Sequence, residues 1–217
     1  MTLQILYGDA HIIAVVKPPG VPVQPDKTGD ADMTALLPPG CFVVHRLDRT
    51  VGGVMLFAKT ERTAAALSAA FAGEGAAKTY LAAAQGTLPP ECTLTDWLLK
   101  NERLNVSKVV LRNTPRAKEA VLSCTRLAEA DSPDGRLSLA RVTLQTGRHH
   151  QIRVQLAHAG APLWGDTKYN PAFARRRGVF PALWAERLDI VHPMSGERLS
   201  FTCPPPDTEP FRLLVNA

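Results

Sequence analysis

Apolar residues in this chain come in short runs separated by turn-forming residues. Two such runs cover positions 3–7 and 12–16, and "KPPGVPVQP" follows them. Its prolines and Gly20 oppose helix, so the start reads as strand, strand and a turn into extended chain. After Gly40, "CFVVHRLDRTVGGVMLFAKT" carries β-branched and aromatic residues on both sides of a polar centre. That pattern predicts strand, loop, strand, with Asp48 in the loop.

The period then changes. Thr60 precedes "ERTAAALSAAFAG", where Ala65, Leu67, Ala70 and Phe71 make an apolar stripe and Gly73 ends it, so a helix capped by Thr60 is predicted. Beyond "AKTYLAAAQG" and a proline-interrupted stretch, "KEAVLSCTRLAEA" and "RLSLARVTLQT" flank "DSPDG". The Asp-Gly turn chemistry predicts a long hairpin. "GRHHQIRVQLAHAG" sets Ile152, Leu156 and Ala159 at helical spacing, with Arg148, Gln151, Gln155 and His158 on another face. An amphipathic helix between Gly147 and Gly160 is expected. Strands around 183–191 and 199–202, joined by "HPMSGE", close the chain. No repeat or linker divides it, so 1–217 is expected to form a single catalytic domain.

Composition narrows the class. A chain of 217 residues with 45% hydrophobic positions can bury an ordinary core. No stretch approaches the roughly 18–20 uncharged residues of a bilayer span, and "MTLQILYGDA" is unlike a secretory leader. A cytoplasmic, membrane-free and monomeric protein is expected. Cys41, Cys92, Cys124 and Cys203 are scattered singly without a CxxC pair, which reads as reduced thiols that serve packing. The net charge of +5 favours an anionic partner.

Candidate chemistry is reached by elimination. None of the six histidines forms the i, i+4 pair of a zincin-type site, so no metal is expected. There is no GxxxxGK[ST] or GxGxxG to hold a nucleotide cofactor, and no GxSxG elbow. Asp48 remains. Its "HRLD" setting reads either as a solvated ion-pair cluster or as a partly buried carboxylate that needs a matching cation. Arg153, next to the apolar Ile152 in "QIR", could be that cation and keep Asp48 ionised.

"HRLDRTVGGVMLFAKT" together with "GRHHQIRVQLAHAGAPLWGDTKYN" resembles the RluA-type family of pseudouridine synthases. "KPPGVPVQP", "KTYLA" and "HPMSGERLSFTCPPP" agree with that family in order, so the resemblance covers nearly the whole chain. It implies an α+β fold, with a mixed, largely antiparallel central sheet in two halves, flanking helices and a catalytic cleft. It implies cofactor-free isomerisation of uridine in ribosomal or transfer RNA. Asp48 is then the catalytic aspartate, Tyr80 packs against the target base, and Arg153 pairs with Asp48. The start of the chain implies no separate N-terminal RNA-binding domain. His45, Arg46, Arg148, Lys168, Arg175, Arg176 and Arg177 are the candidate RNA contacts, against the bland reading of a solvated basic face. An RNA-binding protein that keeps the fold without the chemistry is the alternative.

Three departures mark this chain. Val51-Gly52-Gly53 stands where the family usually has Thr-Ser-Gly, which removes two hydroxyls that would brace the loop, His149-His150 replaces the usual Thr-His, and Trp184 stands where histidine is common.

Overall fold

The computed structural model describes residues 2–73 and 75–215. Its first elements are β1 (Gln4–Gly8), β2 (Ile12–Lys17), α1 (Met33–Leu36), β3 (Phe42–Val43), β4 (Gly52–Ala58) and α2 (Glu61–Ala72). Then come β5 (Ala76–Gln85), β6 (Glu91–Asn101), β7 (Val106–Val110), β8 (Lys118–Ser132) and β9 (Gly135–Leu144). The last are α3 (Gln151–His158), β10 (Leu183–Val191), β11 (Arg198–Thr202) and α4 (Phe211–Val215). The fold is α+β, with mixed, mostly antiparallel strands and few helices, as the family resemblance implies.

Two compact units share the chain: Met1–Thr79 with Trp184–Pro205, and Tyr80–Leu183 with Pro206–Ala217. In the first, β2 pairs antiparallel with both β1 and β4, β3 pairs antiparallel with β4, and β10 meets β4 in parallel before turning back through β11. The run "GGVMLFA" is buried at every position of β4, which explains its unbroken apolar character. Each fully buried Met55, Leu56 or Phe57 contributes about 1.5–3 kcal/mol of transfer free energy. In α2, the Thr60 hydroxyl accepts from the Thr63 amide at 3.2 Å, the predicted cap.

No element was predicted across the short α1. There the Asp32 carboxylate accepts from the Thr34 and Ala35 amides at 2.7 and 3.3 Å, and Pro38-Pro39 stop the helix after one turn.

In the second unit β8 and β9 form the predicted hairpin, with Ser132 opposite Gly135. Strands β6 and β7 extend it antiparallel on the β8 side. The sequence concealed β6 because a charged residue, Asp96, sits among its apolar alternation. Gln155 and His158 of α3 engage that carboxylate at 2.8 and 3.0 Å.

Three expectations fail here. Cys92 and Cys124 face each other across β6 and β8 and are joined by a disulfide, so only Cys41 and Cys203 are free thiols. Their 32-residue separation hides a neighbour relation that sheet pairing creates. Helix α3 starts at Gln151 rather than at Gly147, because His150 adopts a left-handed φ of 55°. Nor is α3 amphipathic, since Gln151 through Leu156 are all buried. Its glutamines are matched to carbonyls: Gln151 donates to Val121 at 3.1 Å, and Gln155 to Leu94 and Ala120. No helix among the described residues is long and apolar enough to cross a membrane.

Candidate active site

In the first unit, Asp48 lies in the loop between β3 and β4, half-buried beside the buried Leu47. The Asp48 carbonyl accepts from the Val51 amide at 3.0 Å, closing a turn, and the Arg49 carbonyl accepts from the Gly20 amide at 2.8 Å. Below the turn sits Lys17, which is wholly buried at the end of β2. Its ammonium donates to the carbonyls of Pro18 and Arg49 at 3.0 Å each and of Val51 at 2.8 Å. Burial pushes Lys17 down to about 7, while the charge of Asp48 pulls it up.

The neighbours of Asp48 are tied as well. Arg49 donates to the Gly20 carbonyl at 2.9 Å, pairs with Asp26 at 3.0 Å and also pairs with Asp30, fastening segment 20–30 to the loop. The His45 ring stacks on Phe71 at 4.2 Å, and its Nε2 accepts from the Leu56 amide at 3.0 Å. Accepting that bond requires a neutral ring, and burial pushes His45 down to about 3. Arg46 is exposed.

Two of the departures form one packing arrangement. A Cβ at Gly52 would lie 2.4 Å from the Trp184 ring and 2.9 Å from Pro19. Gly53 has φ +119°, and a Cβ there would sit 2.3 Å from the Ala185 carbonyl oxygen. The Trp184 indole fills this space and donates to the Cys203 carbonyl at 2.9 Å. Lys17 braces this stretch at the Val51 carbonyl, 2.8 Å from its ammonium.

In the second unit, Tyr80 is buried on β5 and Arg153 is buried on α3. Arg153 donates to both oxygens of Asp166, through Nε at 2.7 Å and Nη2 at 2.8 Å, and its guanidinium lies 5.2 Å from the Tyr169 ring centre. This is a bidentate buried pair. Asp166 also accepts from the Lys168 and Tyr169 amides at 2.9 and 3.2 Å. The "GDTKYN" segment is therefore folded around the acid that receives Arg153. Sequence reading missed Asp166, although an acid in a motif accompanying "QIR" was the available signal.

His149 and His150 stack at 3.8 Å just before α3. His149 bonds Ser107 and Asn105 at 2.9 and 3.0 Å, and His150 bonds the Tyr169 hydroxyl at 2.8 Å. Burial, then the nearby Arg153 charge, push His150 well down, so it stays neutral. The basic candidates differ in engagement. Arg148 donates to the Glu119 carbonyl and Lys168 to the Asn105 carbonyl, while Arg176 pairs with Asp134 and lies over Phe173. Arg175 and Arg177 are exposed. Among the described residues, no group of three His, Cys, Asp or Glu side chains could hold a metal ion.

The profile of the RNA pseudouridylate synthase family matches residues 11–158, about two thirds of the chain, including the Asp48 loop and α3. The chain belongs to this family. The tRNA pseudouridine synthase C of Pasteurella multocida is 32% identical over 220 residues, covering 92% of this chain and 90% of that protein. The ribosomal large subunit pseudouridine synthase D of Xanthomonas campestris is 33% identical over 228 residues, covering 94% of this chain and 66% of that protein. Among solved structures, human RNA pseudouridylate synthase domain containing 1 superposes with a TM-score of 0.82 at 23% identity, over 95% of this chain and 85% of that one. As a pseudouridine synthase the protein is an RNA isomerase, and its two longest motifs correspond to the Asp48 loop and the Arg153–Asp166 segment.

Proposed function

We propose that this pseudouridine synthase isomerises uridines in structured transfer or ribosomal RNA, with Asp48, Tyr80 and Arg153 as its catalytic set and the two units acting as one catalytic domain. The reaction breaks the bond from ribose C1′ to base N1, turns the uracil, and forms a bond from C1′ to C5. The C5 hydrogen leaves to solvent and N1 ends protonated, so atoms balance without a redox partner. Asp48 acts on the ribose or base, Tyr80 offers a flat face to the uracil and a hydroxyl for proton handling, and Arg153 is the cation of the set. The uracil must leave its stack, at a cost of a few kcal/mol that phosphate contacts offset.

The observation that carries this reading is the construction of the Asp48 loop. Lys17 and His45 immobilise the backbone around one half-exposed carboxylate, with Arg49 adding exposed ties to segment 20–30, which is what an acid that must be aimed requires. Arg46, Arg175 and Arg177 are the RNA contacts favoured by their exposure, whereas His45 is committed to Phe71 and Leu56. The relatives named for transfer and ribosomal RNA support both substrate classes.

Asp48→Asn should keep the fold and RNA affinity while tritium release from C5-labelled uridine in transfer and ribosomal RNA transcripts falls to background. Retained turnover in that variant would remove Asp48 from the mechanism.

A further inference from the structure

Charge is divided unevenly along the chain. The first unit carries nine Lys and Arg against ten Asp and Glu, while the second carries sixteen against ten. Much of that excess lies in residues 100–118, which include six basic residues and one acid, Glu102. This net of +5 equals that of the entire protein. Glu102 pairs with Lys100 at 2.6 Å. Among the described residues no salt bridge involves Lys108, Arg112 or Arg116.

The sheet register assigns these cations to a face. Leu98 and Val109, directly opposite each other on β6 and β7, pack with Ala120, Val154 and Tyr169, and Ser107 bonds His149. That face looks towards α3. Alternation places Trp97, Leu99, Lys108 and Val110 on the other side. There the Arg112 guanidinium lies 5.6 Å from the Trp97 ring centre, and Leu99, Asn101, Lys108 and Arg116 line a shallow groove whose rim is completed by the paired Lys100 and Glu102. An apolar floor of Leu99 and Trp97 under several cations matches a sugar-phosphate backbone, with charge for phosphates and flat apolar surface for sugars.

We propose that this outer face of the β6–β7 hairpin is a second RNA-contact surface, binding the phosphates of helical RNA that flanks the segment holding the target uridine. The inference rests on the reading that this enzyme acts on structured RNA. The bland alternative is edge protection, since β7 ends its sheet and lysines on edge strands deter pairing with other chains. Edge protection requires a scatter of charge; a groove that gathers Lys108 from β7 and Arg116 from the following segment is directed at a ligand.

The test uses the whole chain with Lys108→Gln and Arg116→Gln combined, the charge-preserving pair Lys108→Arg with Arg116→Lys, and an unmodified transfer RNA transcript as the probe. Binding is measured by fluorescence anisotropy across a salt series. For the Gln pair, the slope of log affinity against log salt should become shallower by about 1.4–1.8, from two lost phosphate contacts. The Arg/Lys pair should keep the wild-type slope. A short stem-loop lacking flanking helix should bind wild type and the Gln pair equally, and on RNA that the wild type modifies KM should rise with kcat unchanged. An unchanged slope for the Gln pair, or a fall in kcat at saturating RNA, overturns the proposal. A wild type that binds RNA, with the Gln pair showing the shallower slope, yet makes no pseudouridine would instead count against the catalytic reading.

Discussion

Lys17 in the first unit and Arg153 in the second are both buried cations, and they are matched by different partners. Lys17 meets three backbone carbonyls in and beside the Asp48 loop, which are dipoles with partial charge. Arg153 meets a carboxylate, bidentately, at 2.7 and 2.8 Å. Dipoles offset only part of the cost of burying a full charge, so burial still pushes Lys17 down to about 7. A guanidinium opposite a carboxylate stays charged at any working pH. One cation therefore holds the backbone near Asp48 conditionally, and the other anchors "GDTKYN" to α3 permanently.

The largest effect should come from breaking the permanent pair. Asp166→Ala leaves Arg153 without the carboxylate that both its Nε and Nη2 engage, and removes the acceptor for the Lys168 and Tyr169 amides. Loss of one partner from a buried pair costs about 3–5 kcal/mol, so the urea midpoint should fall steeply. Asp166→Asn, which keeps an acceptor for the two amides, should recover part of the loss. If Asp166→Ala unfolds at the wild-type urea concentration, the pair is not what anchors this segment.

Breaking the conditional cation should act on rate more than on stability. Lys17→Met removes a desolvated charge and three hydrogen bonds together, so the two stability changes oppose each other. What is lost is the aim of Asp48, and misplacement by about 1 Å is enough for a roughly 100-fold drop in kcat. The pH dependence has a definite sign. Folded Lys17 releases its proton near 7, whereas the unfolded chain keeps it until about the ordinary 10.5. Between these values the unfolded state binds more protons, so this group makes the fold more stable as pH rises through that window. Denaturant melts across it should show the rise in wild type and its absence in Lys17→Met. An identical pH profile in both proteins would show that Lys17 is not the titrating group.

The contrast also explains what the sequence disclosed. Helix α2, the β8–β9 hairpin and the strands around Asp48 follow from local signals: a Thr cap, an Asp-Gly turn and β-branched runs. The disulfide, the second carboxylate Asp166 and the role of Lys17 depend on pairings 32, 13 and 32 to 34 residues apart, which local patterning cannot encode. Helix α3 looked amphipathic because its glutamines were counted as solvated, whereas they satisfy sheet carbonyls. Val51-Gly52 looked like a lost brace, and only the fold reveals that Trp184 occupies the space a larger residue at 52 would need.

The smallest effect belongs to Arg49, and it decides whether the buried lysine or the surface pairs hold the Asp48 loop. Arg49 ties the loop to Asp26 and Asp30, but all three side chains are at least 36% exposed, where ion pairs contribute little and salt screens them. Arg49→Ala should therefore shift Tm by less than about 2 °C, a small step for a chain of this length. Its kcat should stay within about three-fold of wild type, equivalent to less than 1 kcal/mol. The Thr28 amide, whose acceptor is the Asp26 carboxylate, should exchange with solvent faster in this variant. Should Arg49→Ala instead lower kcat as far as Lys17→Met does, the exposed pairs and the buried ammonium would be parts of one support. The division between a conditional cation and its surroundings would then dissolve, because the loop would need both to keep Asp48 in place.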